Sequence, residues 1–93
     1  MTIFLDGKEM CGRKELHDYL KLQLDLPDYY GRNLDALYDC LTERSESTEL
    51  VLVNFELCRE AMGKYAEALL STLYHAALHC PALEIREIQA ETE

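Results

Sequence analysis

The carboxylates of Asp35, Asp39 and Glu43 recur every four residues, and no lysine or arginine stands four positions from Asp39. On a helix of about 100° per residue, that spacing stacks the acids on one side. Asp35, Asp39 and Thr42 then fall within about 60° of each other, with Tyr38 at their border. Leu34, Leu37 and Leu41 lie about 130° away, on the side that would hold such a helix down. An acid in the first helical turn is favoured by about 0.3–1 kcal/mol through the helix dipole, which accounts for Asp35. Asp39 has no such account, since a like-charged neighbour four residues away costs about 0.2–0.5 kcal/mol. A solvated polar face would tolerate the ladder, but stability does not ask for it. Tyr29, Tyr30, Gly31 and Asn33 come just before it, and aromatic residues beside unpaired charge are what interface centres carry.

Catalytic readings are weaker. His75 and His79 are four residues apart, a spacing that offers two ligands to a metal from one helix face. A metal hydrolase would need Asp35 and Asp39 to converge on them, and no His-Glu-x-x-His arrangement supports that. Ser45, Ser47 and Ser71 lack a nucleophile elbow, and the glycines are too scattered for a phosphate loop. His17 reads as a helix-surface or capping residue. The residues therefore predict a binding protein without a cofactor, and not an enzyme.

Charge points the same way. The formal net charge of −9 over 93 residues is opposite to that of a nucleic-acid binder, which must neutralise phosphates. Direct contact with nucleic acid or an anionic membrane is disfavoured, and a basic protein partner is favoured by steering. Cys11, Cys40, Cys58 and Cys80 are widely spaced, with no Cys-x-x-Cys. The first residues have neither the basic start nor the apolar core of a secretory leader. A cytoplasmic protein with reduced thiols is expected, its cysteines mostly small core residues.

Periodicity supplies the elements that must position the acids. Residues 2–5 read as a strand closed by the Asp6-Gly7 turn. Leu16, Leu20 and Leu24 mark a first helix over 14–24, with Gly12 as cap. Residues 26–32 form a loop stopped by Pro27. Asn33 caps the acidic helix over 34–43. The apolar run 50–53 suits a central strand covered on both faces. Asn54 caps a third helix ending at Gly63. A fourth helix over 64–79 carries Leu69, Leu70, Leu73 and Ala77 as its apolar stripe, and Pro81 ends it. Residues 83–88 alternate as an edge strand, and the tail 89–93 is expected to fray. The order β-α-α-β-α-α-β implies one α/β domain over 1–93, a small three-stranded parallel sheet packed with four helices.

The run Leu26-Pro27-Asp28-Tyr29-Tyr30-Gly31-Arg32-Asn33-Leu34-Asp35-Ala36-Leu37-Tyr38-Asp39-Cys40-Leu41-Thr42 resembles the barstar family of bacterial inhibitors of the ribonuclease barnase. The likeness is weaker after about Glu43. It implies an inhibitor that lays its acidic helix and preceding loop into a ribonuclease active site, in place of RNA phosphate. By this resemblance Asp39 takes the phosphate position and Asp35 pairs with a nearby basic group or backbone donors. Tyr29 packs over the catalytic side. Tyr30, Gly31, Asn33, Leu34, Tyr38 and Thr42 shape or border the contact. Departures fall on the rim. Tyr38 stands where the family has tryptophan, and Glu43-Arg44 stands for Gly-Trp. His75 and His79 occupy positions where its last helix supplies acids. The implied partner is a basic secreted ribonuclease of the barnase type or a related nuclease toxin; the alternative is a barstar-like binding protein for a different nuclease toxin or an RNA-related partner, without barnase inhibition. A monomer is expected when free.

Overall fold

A computed structural model describes residues 1–88. The expectation about the tail lies outside these residues. Strands β1 (Thr2–Asp6), β2 (Thr48–Val53) and β3 (Leu83–Ile88) form one parallel sheet in that order. Helices α1 (Arg13–Leu24) and α2 (Leu34–Thr42) connect the first pair. Helices α3 (Phe55–Met62) and α4 (Lys64–His79) connect the second. This is the three-stranded, four-helix α/β order that the periodicity implies.

The apolar pattern explains the layering. One side of the sheet gives Leu5, Leu50, Leu52 and Leu83 to a core shared with Leu16, Leu20 and Leu24 of α1. Leu37 and Leu41 of α2 and Ala66, Leu69, Leu73 and Ala76 of α4 complete it. On α4 the buried stripe runs through Ala66 and Ala76, while Leu70 and Ala77 are only partly buried. Small alanines let α2 approach α4 closely, and the two helices pack directly.

Strand β2 departs from expectation in two ways. It begins at Thr48, not Leu50, because the Thr48 N–H donates to the Ala82 carbonyl and the chain is already paired with β3 there. It is also not covered on both faces. Phe4 and Arg86 flank Val51 on the second face, and both are exposed. Val51 is sheltered there by its strand neighbours, and Arg86 pairs with Glu49 across the same face at 3.0 Å. A continuous apolar run cannot distinguish these two kinds of cover.

The Asp6-Gly7 turn is a 3-10 turn over Gly7–Glu9, capped by the Asp6 carboxylate, which accepts from the Lys8 N–H at 3.0 Å. Gly7 is required here by contact. A Cβ would lie 2.1 Å from the Asn54 carbonyl oxygen. Asn54 stands at the start of α3 but does not cap it with its side chain. Its φ is 56°, and its amide donates to Asp6 instead, at 3.2 Å. Cys58 and Cys80 are buried, Cys40 is half-buried, and Cys11 is exposed. Burial, reinforced by neighbouring Cys11, pushes the Cys58 thiol up to about 11. Among the described residues no helix is long and apolar enough to cross a membrane.

Candidate functional site

Helix α2 starts where the sequence says it should. The Asn33 side-chain oxygen accepts from the Ala36 N–H at 2.7 Å, and its amide donates to the Gly31 carbonyl at 3.3 Å. Asn33 thus ties the loop to the helix it opens. Asn33→Ala is expected to cost about 1 kcal/mol of folding stability through the lost cap. Urea unfolding measures this. The left-handed residue in the loop is Arg32 at φ 55°, not Gly31. A non-glycine residue pays about 1–2 kcal/mol for that conformation. Arg32 Nε donates to Asp18 on α1 at 2.8 Å, and Lys14 meets the same carboxylate at 2.9 Å. This shared clamp holds the loop against α1. Hydrogen bonds from Lys14 and then Arg32 hold the Asp18 carboxyl below its usual range.

The acids stand clear of these restraints. Leu37 and Leu41 are fully buried, so α2 is fixed by one face, and Asp35, Asp39 and Glu43 emerge on the other as exposed residues. None of these carboxylates has an ion-pair partner among the described residues. The helix has no basic residue in its last turn and carries Glu43 as its C-cap, against the dipole. Burial, then Glu43 and Asp39, push the Cys40 thiol up, so the negative field of the ladder reaches into the half-buried helix flank.

Tyr29 is the most exposed large apolar side chain of the loop, at 83%. Tyr38 is half-buried and meets His79 of α4 edge-on, with ring centroids 6.5 Å apart. His79 is therefore brought beside the acidic face. His75 is exposed one helical turn earlier, near Ser71, Tyr74 and Leu78. The Thr42 hydroxyl donates back to the carbonyls of Tyr38 and Asp39, at 3.0 and 3.2 Å, and so is engaged with the last turn of its own helix. Leu34 is half-buried at the mouth of a groove beside Asp35.

Three residues take places that the sequence did not indicate. Tyr30 is 4% exposed and belongs to the core, so it cannot offer a ring to a partner. Its hydroxyl lies 2.6 Å from His17 Nδ1. His17 is itself buried, not at the surface, and its Nε2 lies 2.7 Å from the Tyr65 hydroxyl. A helix with leucines every four residues leaves no sign that the next position also faces inward. Arg44, a rim candidate, is half-buried. It turns back to donate to the Leu24 carbonyl at 3.1 Å and to Thr48 at 3.2 Å, closing the open end of α1. Sequence reasoning also missed Arg32 and Asp18. Their opposite charges fourteen residues apart would become informative only once the loop was known to fold back on α1.

Among the described residues no three His, Cys, Asp or Glu side chains converge on a point that could hold a metal. The geometry left is an exposed, unneutralised acidic stripe with aromatic borders. A family model described as Barstar (barnase inhibitor) matches residues 1–91. The chain belongs to the barstar family. Over 75 residues it is 48% identical to a Bacillus subtilis (strain 168) protein named "Putative ribonuclease inhibitor YrdF", a match covering 80% of this chain and 82% of that one. The barstar match extends through α3, α4 and β3, where the sequence likeness is least legible by eye.

Proposed function

We propose that this barstar-family chain is a non-enzymatic inhibitor of a basic ribonuclease of the barnase type. The observation that carries this reading is the exposed Asp35–Asp39 stripe, without an ion-pair partner among the described residues, on a helix locked by Leu37 and Leu41. A helix already held by its buried face does not have to fold on binding, so ordering costs are confined to the side chains. In the complex, Asp39 occupies the position of an RNA phosphate and meets the arginine, lysine or histidine side chains that would bind it. Asp35 pairs with a second basic group. Tyr29 lies over the catalytic side, while Gly31 and Asn33 present the loop. Tyr38, Thr42, Glu43 and His79 form the border, and His75 lies at its outer edge. The free protein is a cytoplasmic monomer that protects its host from a secreted nuclease.

Barnase titrated with this protein, with RNA cleavage as readout, tests the reading. Activity should fall linearly to zero at one equivalent. Full activity in excess protein removes barnase as target. That result would favour a second reading, immunity to a different basic nuclease toxin, for which the altered border at Glu43, His75 and His79 speaks. Association should also slow by about tenfold or more on going from low to high salt, because opposite net charges steer the encounter. Stopped-flow mixing at a series of ionic strengths measures this.

A further inference from the structure

Beside the acidic stripe the sign of the surface reverses. A groove of about 650 Å³ runs between the first turn of α1 and the first turn of α2, lined by Arg13, Lys14, His17, Arg32, Asn33, Leu34, Asp35 and Tyr65. Three of those side chains are cationic and one is a carboxylate, in a chain whose net charge is −9. Lys14 and Arg32 share Asp18. Arg13 has no ion-pair partner among the described residues, yet it is not loose. Its guanidinium carbon sits 4.2 Å from the centre of the Tyr65 ring, and the Tyr65 hydroxyl is pinned by buried His17. An exposed cation held in place by an aromatic platform is preorganised for an anion.

We propose that this groove receives a carboxylate side chain, aspartate or glutamate, from the same protein partner that meets Asp35 and Asp39, with Arg13 as its principal contact. The proposal rests on the inhibitor reading and gives it a second, oppositely charged half. Asp35 lines the groove as well as belonging to the stripe, so the two halves are continuous. A single carboxylate set beside basic groups matches this alternation of sign. An RNA strand does not, since its row of phosphates would run against the acids next to the groove. Such a paired arrangement also selects among basic partners, because a nuclease with a cation at that point would be repelled.

The test compares wild-type protein, Arg13→Glu and Asp39→Ala in calorimetric titrations with barnase. Glutamate at the first position of α1 suits the helix dipole, so the melting temperature should hold. Binding by Arg13→Glu should weaken about tenfold or more. Changing one surface Asp or Glu of barnase to Lys should restore it. Unchanged affinity of Arg13→Glu, with binding lost in Asp39→Ala, overturns the groove and leaves the inhibitor reading standing. Absence of barnase binding, or an Asp39→Ala variant that binds like wild type, removes the barnase-type inhibitor reading and the groove proposal that rests on it. Binding of a short single-stranded RNA to the free protein, abolished by Arg13→Glu, would overturn the proposal by giving the groove to phosphate.

Discussion

Asp39→Ala should abolish ribonuclease inhibition and leave the fold intact or slightly more stable. The Asp39 carboxylate is exposed and has no ion-pair partner among the described residues, and its neighbours at four residues on either side, Asp35 and Glu43, carry the same charge. Its removal relieves about 0.2–0.5 kcal/mol of repulsion per like-charged pair. In the proposed complex the balance is opposite. Deleting one member of a desolvated charge pair leaves its partner's charge buried and unmatched, which costs about 3 kcal/mol or more, over a hundredfold in affinity. Thermal unfolding and inhibition titrations on the same sample separate the two effects. Unimpaired inhibition by the variant would sink the phosphate-mimic mechanism. A fall in both stability and inhibition would mean that Asp39 holds the helix rather than the partner.

The second large effect concerns the buried bridge from Tyr30 through His17 to Tyr65. Both ring nitrogens of His17 are engaged, at 2.6 and 2.7 Å. Replacement by leucine leaves the buried Tyr30 hydroxyl without a partner, at a cost of about 1–3 kcal/mol. It should also reduce a pH dependence. Burial, helped by Arg32, pulls the His17 pKa below its ordinary 6.5. The unfolded chain therefore takes up a proton near pH 6.5 that the folded protein resists. Stability is full above that point and declines as the pH falls toward the lower folded value. Asp18 works in a more acidic window. Its depressed carboxyl contributes above the ordinary 3.8, and that contribution fades as the pH falls through the lower folded value. Urea midpoints measured from about pH 8 to about pH 5 distinguish the two groups. The wild type should lose stability over this range while His17→Leu loses less. Equal slopes would mean that His17 does not set this dependence.

This bridge also bears on inhibition. Tyr30 is rooted in the core, and its neighbours Tyr29 and Gly31 belong to the loop that precedes α2. A firm root at Tyr30 and the Arg32–Asp18 clamp fix both ends of that short stretch. The left-handed conformation at Arg32 persists because these contacts over-determine it.

Periodicity and local chemistry in the sequence determined the order of elements, the parallel sheet, the cap at Asn33 and the outward face of Asp35 and Asp39. The cap and the outward face depend on residues only a few positions apart, and the sheet follows from the alternation of elements along the chain. A helix with leucines at Leu37 and Leu41 can bury only one side, and the acids on its other side must then face solvent. Tertiary structure alone decided which polar residues are turned back onto the protein. Tyr30, His17 and Arg44 look like surface residues by type, yet each satisfies a group from another element. The same holds for the cationic groove, whose members come from α1, the following loop, α2 and α4. A sequence pattern reports which way a side chain leaves its own element. Only the packing of elements tells what it then meets.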